Sequence, residues 1–344
     1  MRGFCCDRCG SLVFFENYQC LKCELRLGFA PDALDLLTLN QEGESWRAVG
    51  GNAESALYRR CANDVKYAAC NWLVPADDSN ELCVSCRRNE VIPDLNVAGN
   101  LQLWAKVEAA KRRTIYNLLQ LHLFGPGSEK LRFKFLSGPN VMTGHADGLI
   151  TLNIAEADDV ERERRRVSFR EPYRTLLGHF RHEIGHFYWE GLVRQTGNLE
   201  KFRALFGDET LDYGECLKAY YRAGPTTDWQ LSFISAYASA HPWEDWAETW
   251  AHYLHIVDTL ETAASFGISL KPKHPDAKSM TAAPANVDVE EAPFDKILRH
   301  WLPLTYALNT LNRGMGLADL YPFVLSTAIV EKLRFVHEVS SKAK

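Results

Sequence analysis

Nine of the ten cysteines lie at positions 5, 6, 9, 20, 23, 61, 70, 83 and 86, and only Cys216 falls beyond them. The opening stretch carries three thiols where a secretion signal would be apolar, so a reduced, cytoplasmic chain is expected and the cysteines point to metal before disulfides. Cys6-Asp-Arg-Cys9 and Cys20-Leu-Lys-Cys23 are two CxxC knuckles. Each knuckle presents two thiolates on one side of a tight turn, and the second closes a tetrahedron around zinc. Cys6 is taken over Cys5 because it gives the two-residue spacing to Cys9. The hairpin expected at Ser11 to Phe15 is too small to persist without its ion.

Cys61, Cys70 and Cys83-Val-Ser-Cys86 supply only one further CxxC. A second four-thiolate zinc site is expected from them, the alternative being two buried thiols beside a partial site. Cys216, among Tyr213, Leu217 and Tyr220, reads as a small core residue. The division expected from this is a zinc-ribbon region over 1–95 and a second domain over 96–344.

The balance of 39 basic and 44 acidic residues gives a formal charge of −5, which supplies no general field for phosphate backbones and argues against nucleic acid as a partner. No apolar run reaches membrane-spanning length. Hydrophobic residues at 46% are enough for a real core.

Past the cysteines, Leu101, Trp104, Val107, Ile115, Leu118 and Leu119 recur at helical spacing and predict a helix over 98–124, stopped by Gly125-Pro126-Gly127. Two strands follow, at Leu131 to Phe135 and Leu149 to Ile154. Glu161 to Arg166 reads as a solvated charged segment. A helix is expected from Pro172 to about Gln195 and another from Pro242 to about Ala264. Between Leu270 and Pro293 four prolines predict a long loop, and Ile297 to Val339 reads as helical.

The first of these two helices contains His182-Glu183-Ile184-Gly185-His186. Histidines four apart share a helix face and can grip one metal, while Phe180 and Ile184 anchor the other side. Glu183 then stands where it can take a proton from water beside the ion. A catalytic zinc needs a third protein ligand. Position 192 is Leu, which excludes the HExxHxxGxxH arrangement, so that ligand comes from downstream. Glu244 and Glu248 lie one turn apart on the second helix. Glu244 ranks first as ligand and His255 second, with Glu248 accepting a hydrogen bond from His182 to fix its tautomer.

The stretches Leu176 to His186 and Ser235 to His255, with Cys6 to Cys23, Cys70 to Asp77 and Thr143 to Ile150, resemble a bacterial family of zinc-binding metallopeptidases with an N-terminal zinc ribbon. The catalytic part is also similar to gluzincins, in particular to the lethal-factor-like metalloprotease, whose third ligand opens a Glu-x-x-Ala-Glu segment matched by Glu244-Asp-Trp-Ala-Glu248. That resemblance implies a role for Tyr237, seven residues before the ligating Glu, in stabilising the tetrahedral intermediate. In zincin folds the strand before the HExxH helix pairs with extended peptide, which makes Leu149 to Ile154 the candidate.

The fold class expected is α+β, zinc-ribbon modules followed by a mainly helical zincin-like metallopeptidase domain with a small sheet. The function expected is zinc-dependent hydrolysis of amide bonds in a peptide or protein, with one catalytic zinc and two structural ones. Two other readings stand beside it. One is an inactive adaptor binding protein or nucleic acid through its ribbons. The other, implied by resemblance to members encoded near ATP-grasp, transglutaminase-like and proteasome-like proteins, is a hydrolase of isopeptide or unusual amide linkages.

Overall fold

The computed structural model describes residues 1–50, 55–125, 127–139, 141, 143–168, 174–273, 275–289 and 291–342. Pro126 and Pro172, used above as a helix stop and a helix start, lie outside them. The chain forms two compact units, Met1–Glu161 and Arg162–Lys344.

The first unit opens with a hairpin, β1 (Phe4–Cys5) against β2 (Leu12–Val13), at the edge of the first pair of knuckles. Cys5, at the end of β1, is exposed, and Cys6, just past it, is buried. An antiparallel meander follows: β3 (Arg26–Ala30), β4 (Asp35–Glu42), β5 (Ser45–Ala48), β6 (Leu57–Arg60) and β7 (Leu73–Pro75), with α1 (Ala62–Tyr67) before the last strand. A bridge between Phe29 and Trp72 brings the first and last strands together, so the sheet curls on itself.

After β8 (Asn89–Val91) comes α2 (Asn100–Gln120). Tyr116 on α2 meets Phe15 of the ribbon at 5.4 Å between ring centroids and Phe29 of β3 at 5.8 Å. Such aromatic contacts couple the helix to the first knuckle pair and to the five-stranded sheet. The compact unit therefore continues well past residue 95, because α2 forms part of its core.

The remaining strands, β9 (Arg132–Leu136), β10 (Gly144–Ala146) and β11 (Leu149–Asn153), form a second sheet in the order β10-β11-β9-β8. This corrects one expectation. Leu149 to Thr151 pair with β10 on one side and β9 on the other, so their backbone groups are spent and cannot receive a peptide; on this side of the sheet the open edge is β10. A charged helix, α3 (Asp159–Ser168), ends the segment.

The second unit is helical. α4 (Leu176–Trp189) starts at Thr175, whose hydroxyl accepts a hydrogen bond from the Gly178 amide at 3.0 Å, and continues as a π-helical turn over Glu190–Arg194. α5 (Leu199–Phe206), α6 (Tyr213–Ala223), α7 (Pro242–Ser265), α8 (Phe294–Gly314) and α9 (Thr327–Ser341) complete it. The C-terminal part, expected to be helical from Ile297 to Val339, is the two helices α8 and α9. The 270–293 stretch, expected as a loop, contains a bridge between Leu270 and Ala282 and two short 3-10 turns among its described residues.

α7 is the axis of this unit: Trp246, Trp250, Tyr253 and Leu254 are all fully buried. α4 packs along it. The Trp246 indole donates to the Gly185 carbonyl at 2.8 Å, and Trp250 stacks on Tyr188 at 5.2 Å. No helix among the described residues is long and apolar enough to cross a membrane.

Candidate metal centre

His182 and His186 project from one side of α4, and Glu244 faces them from the first turn of α7. His182 Nε2 and His186 Nε2 are 3.2 Å apart. Glu244 Oε2 lies 3.0 Å from the former and 3.7 Å from the latter. The helix that carries Glu244 is well started: the His241 ring accepts from the Trp243 amide at 3.0 Å, and Pro242 occupies the first helical position.

The surrounding hydrogen bonds fix each ligand. His182 Nδ1 donates to Glu248 Oε1 at 2.7 Å, which leaves Nε2 as the lone-pair nitrogen, and the Ser235 hydroxyl donates to Glu248 Oε2 at 2.6 Å. The Tyr213 hydroxyl donates to Glu244 Oε1 at 2.5 Å. Burial opposes ionisation of Glu244, but the imidazoles of His186 and His182 outweigh it and hold the carboxyl well below the usual range. Burial opposes ionisation of Glu248 as well, and the hydrogen bond from His182 carries it down to about 2.

Glu183, next to His182, is half-buried, and burial pushes its carboxyl up. The Tyr237 ring stands 6.0 Å from that of His182, and burial followed by the Glu244 charge keeps its phenol protonated. His255, the second candidate for the third ligand, is elsewhere: its Nδ1 is 2.5 Å from Arg181, which also pairs with Asp258 at 2.6 Å.

The eight cysteines of the two expected sites come together as two clusters, Cys6, Cys9, Cys20 and Cys23, and Cys61, Cys70, Cys83 and Cys86. In the first, Cys6 and Cys23 are 3.5 Å apart at sulfur, as are Cys9 and Cys20. In the second, Cys70 and Cys83 are 3.8 Å apart, and the backbone amides of Trp72, Cys83 and Cys86 each point at a cluster sulfur at 3.4 Å. Cys5 and Cys216 belong to neither cluster.

Residues 100–339 match the family described as "Putative zinc-binding metallo-peptidase". The chain belongs to this family. Residues 3–97 match a zinc-ribbon domain family. An uncharacterized protein of Mycobacterium tuberculosis and one of Mycobacterium bovis are each 46% identical over 348 residues, covering 98% of this chain and 95% of the relative. No solved structure gives a significant match.

A zinc-binding family needs donors that suit zinc, and these do. Tetrahedral zinc with nitrogen and oxygen ligands separates its donors by roughly 3.3 Å, and four thiolates sit roughly 3.8 Å apart. Glu244 Oε2 is buried and has no hydrogen-bond partner, a costly arrangement for a carboxylate oxygen unless a cation faces it. At the second cluster the buried Arg112 guanidinium donates to the Ala69 carbonyl at 2.8 Å, and the charge of Cys70 raises its pKa against the effect of burial. Glu108 lies 3.9 Å from that guanidinium, and four thiolates on one zinc would add net negative charge beside it.

Sequence reasoning missed Tyr213, Ser235, Glu108 and Arg112. Ser235 opens the very stretch that carried the resemblance, so a search for donors to Glu248 could have found it. Tyr213 lies far upstream on a separate helix and gave no signal.

Proposed function

We propose that the chain is a zinc-dependent metallopeptidase that hydrolyses amide bonds of a peptide or protein, with His182, His186 and Glu244 as ligands of the catalytic ion and Glu183 as general base. The observation that carries this reading is the buried, unpartnered Oε2 of Glu244 within 3.0 and 3.7 Å of the two histidine nitrogens. A zinc ion held there supplies Lewis acidity to a water and to the scissile carbonyl.

The chain's own residues do the rest. Glu183 takes a proton from the attacking water and returns it to the leaving amine, and its raised pKa brings the carboxyl closer to the working pH for both transfers. Tyr237, kept protonated, donates to the carbonyl oxygen as negative charge develops there. Glu248 holds His182 in the tautomer that presents Nε2, and Ser235 holds Glu248. The two cysteine sites act as structural zinc sites that stabilise the first unit.

The test is a peptide-library cleavage screen of the zinc-loaded protein beside its Glu183→Gln variant, with metal counted in both. About three zinc ions per chain and cleavage lost only in the variant is the expected result. Equal turnover by the two proteins removes Glu183 from the mechanism. Two zinc ions and no cleavage favour the adaptor, and cleavage of branched linkages alone favours the isopeptidase.

A further inference from the structure

Glu244 is held from two directions. Its Oε2 faces the two imidazoles, and its Oε1 accepts from Tyr213 at 2.5 Å. The tyrosine is otherwise oddly placed. It is the first residue of α6, an eleven-residue helix with no buried side chain, on a segment bracketed by Gly207 (φ 103°) and Gly224 (φ 79°). Both glycines occupy backbone conformations that other residues adopt only at a cost, so the segment turns sharply at each end.

Three contacts bring that helix start to the metal centre. The Tyr213 ring packs on His241 at 5.2 Å and on Trp243 at 6.0 Å, and His241 Nε2 donates to the Leu211 carbonyl at 3.2 Å. The same His241 caps the helix that carries Glu244. The phenol thus arrives at Glu244 along a fixed path.

We propose that Tyr213 is a positioning residue for the catalytic metal: its hydroxyl occupies Glu244 Oε1 and so commits the carboxylate to bind the ion through Oε2 alone. The inference rests on the metallopeptidase reading and extends it to the ligand geometry. The residue type suits the task. An Arg or Lys beside Glu244 would neutralise the carboxylate and compete with the ion, whereas a neutral phenol satisfies one buried oxygen and leaves the negative charge for the metal. A carboxylate bound through one oxygen takes a single position around the ion, which leaves room for water and substrate; bound through both, it fills one position more.

The test uses the full chain. Wild type, Tyr213→Phe and Tyr220→Phe are loaded with zinc, and the affinity of the His182, His186 and Glu244 site is measured by chelator competition. Cobalt replaces zinc there for absorption spectroscopy. Tyr213→Phe keeps the ring that packs on His241 and Trp243 and loses only the hydroxyl. It should weaken zinc at this site roughly 10- to 100-fold and dim the visible cobalt bands as the coordination number rises, with both cysteine sites still full. Tyr220→Phe, on the same helix, should match wild type. Unchanged affinity and an unchanged cobalt spectrum in Tyr213→Phe overturn the inference and leave the metallopeptidase reading standing. A wild type that binds metal only at its cysteine sites overturns both.

Discussion

Gly185 lies against the indole of Trp250 so closely that a β-carbon there would fall 3.0 Å from Trp250 Cδ1 and 3.1 Å from the Ala247 Cα. The backbones of α4 and α7 meet at this point, and both are held: the Gly185 carbonyl accepts from Trp246 and Trp250 is fully buried. The contact sits one residue before His186 and sets how far the histidines stand from Glu244.

Gly185→Ala tests that distance. Alanine gains about 1 kcal/mol of helix propensity but overpacks a rigid ring and a backbone atom at a cost of roughly 1–3 kcal/mol, so the net effect is a loss of about 1 kcal/mol with weaker metal binding at His182, His186 and Glu244. Denaturant unfolding and zinc competition read the two effects. A variant as stable as wild type, with zinc held as tightly, would mean that the helices separate without consequence for the site.

Glu248→Gln removes a charge while keeping an oxygen that can accept from His182. Zinc affinity at His182, His186 and Glu244 should fall about 10-fold, the lower end for a partner that orients a metal-binding histidine. Ser235→Ala should have a smaller effect in the same direction, since it deletes one of the hydrogen bonds to the carboxylate. Full affinity in both variants would show that His182 needs no help.

The stability of the second unit should fall as the pH is lowered. Burial lowers the pKa of His179 to about 3 and of His252 to about 4 and holds His255 well below the usual imidazole range. These groups remain neutral when folded but gain protons when unfolded near pH 6.5, so the unfolded state binds more protons and is favoured as the pH drops from about 6.5 toward 4. Tryptophan fluorescence melts at pH 7.5, 6 and 5 read the slope. His252→Gln should flatten it by the share of one proton, and an identical slope in that variant would exclude His252 as a contributor.

Chelator should remove zinc in stages. The proposed catalytic site offers three ligands, His182, His186 and Glu244, where each cysteine cluster offers four, and should empty first. Next comes the Cys6 cluster, in which Cys9 and Cys23 are partly exposed, and last the Cys61 cluster, whose four cysteines are all buried. A colorimetric chelator resolves the phases, and Cys9→Ser identifies the second by abolishing it. Simultaneous release from both cysteine clusters would contradict this order.

The two helices that carry the candidate metal site could be read from the chain because helical spacing is a local property: His182 with His186, and Glu244 with Glu248, are pairs one turn apart. The cysteine knuckles are local in the same sense. Tyr213 was not legible, since its hydroxyl reaches Glu244 through a turn and a separate exposed helix. Strand pairing also escaped, because the pattern of Leu149 to Asn153 looks the same at a sheet edge and in its middle. Charges on α2 were hidden in another way. Helical spacing marked only the apolar residues there, and it gave no sign that Glu108, Lys111 and Arg112 are buried too.

That buried trio makes the zinc-ribbon half hard to transplant. Glu108 meets the Cys86 thiol at 3.7 Å and Lys111 at 2.9 Å, and Arg112 binds the carbonyl just before Cys70. Cutting the chain at residue 97, where the ribbon match ends, would strip the inner cysteine cluster of Arg112 and of the Glu108–Lys111 pair and lay its apolar floor open to water. A fusion that borrows this module as a portable cassette has to take the whole of α2 with it.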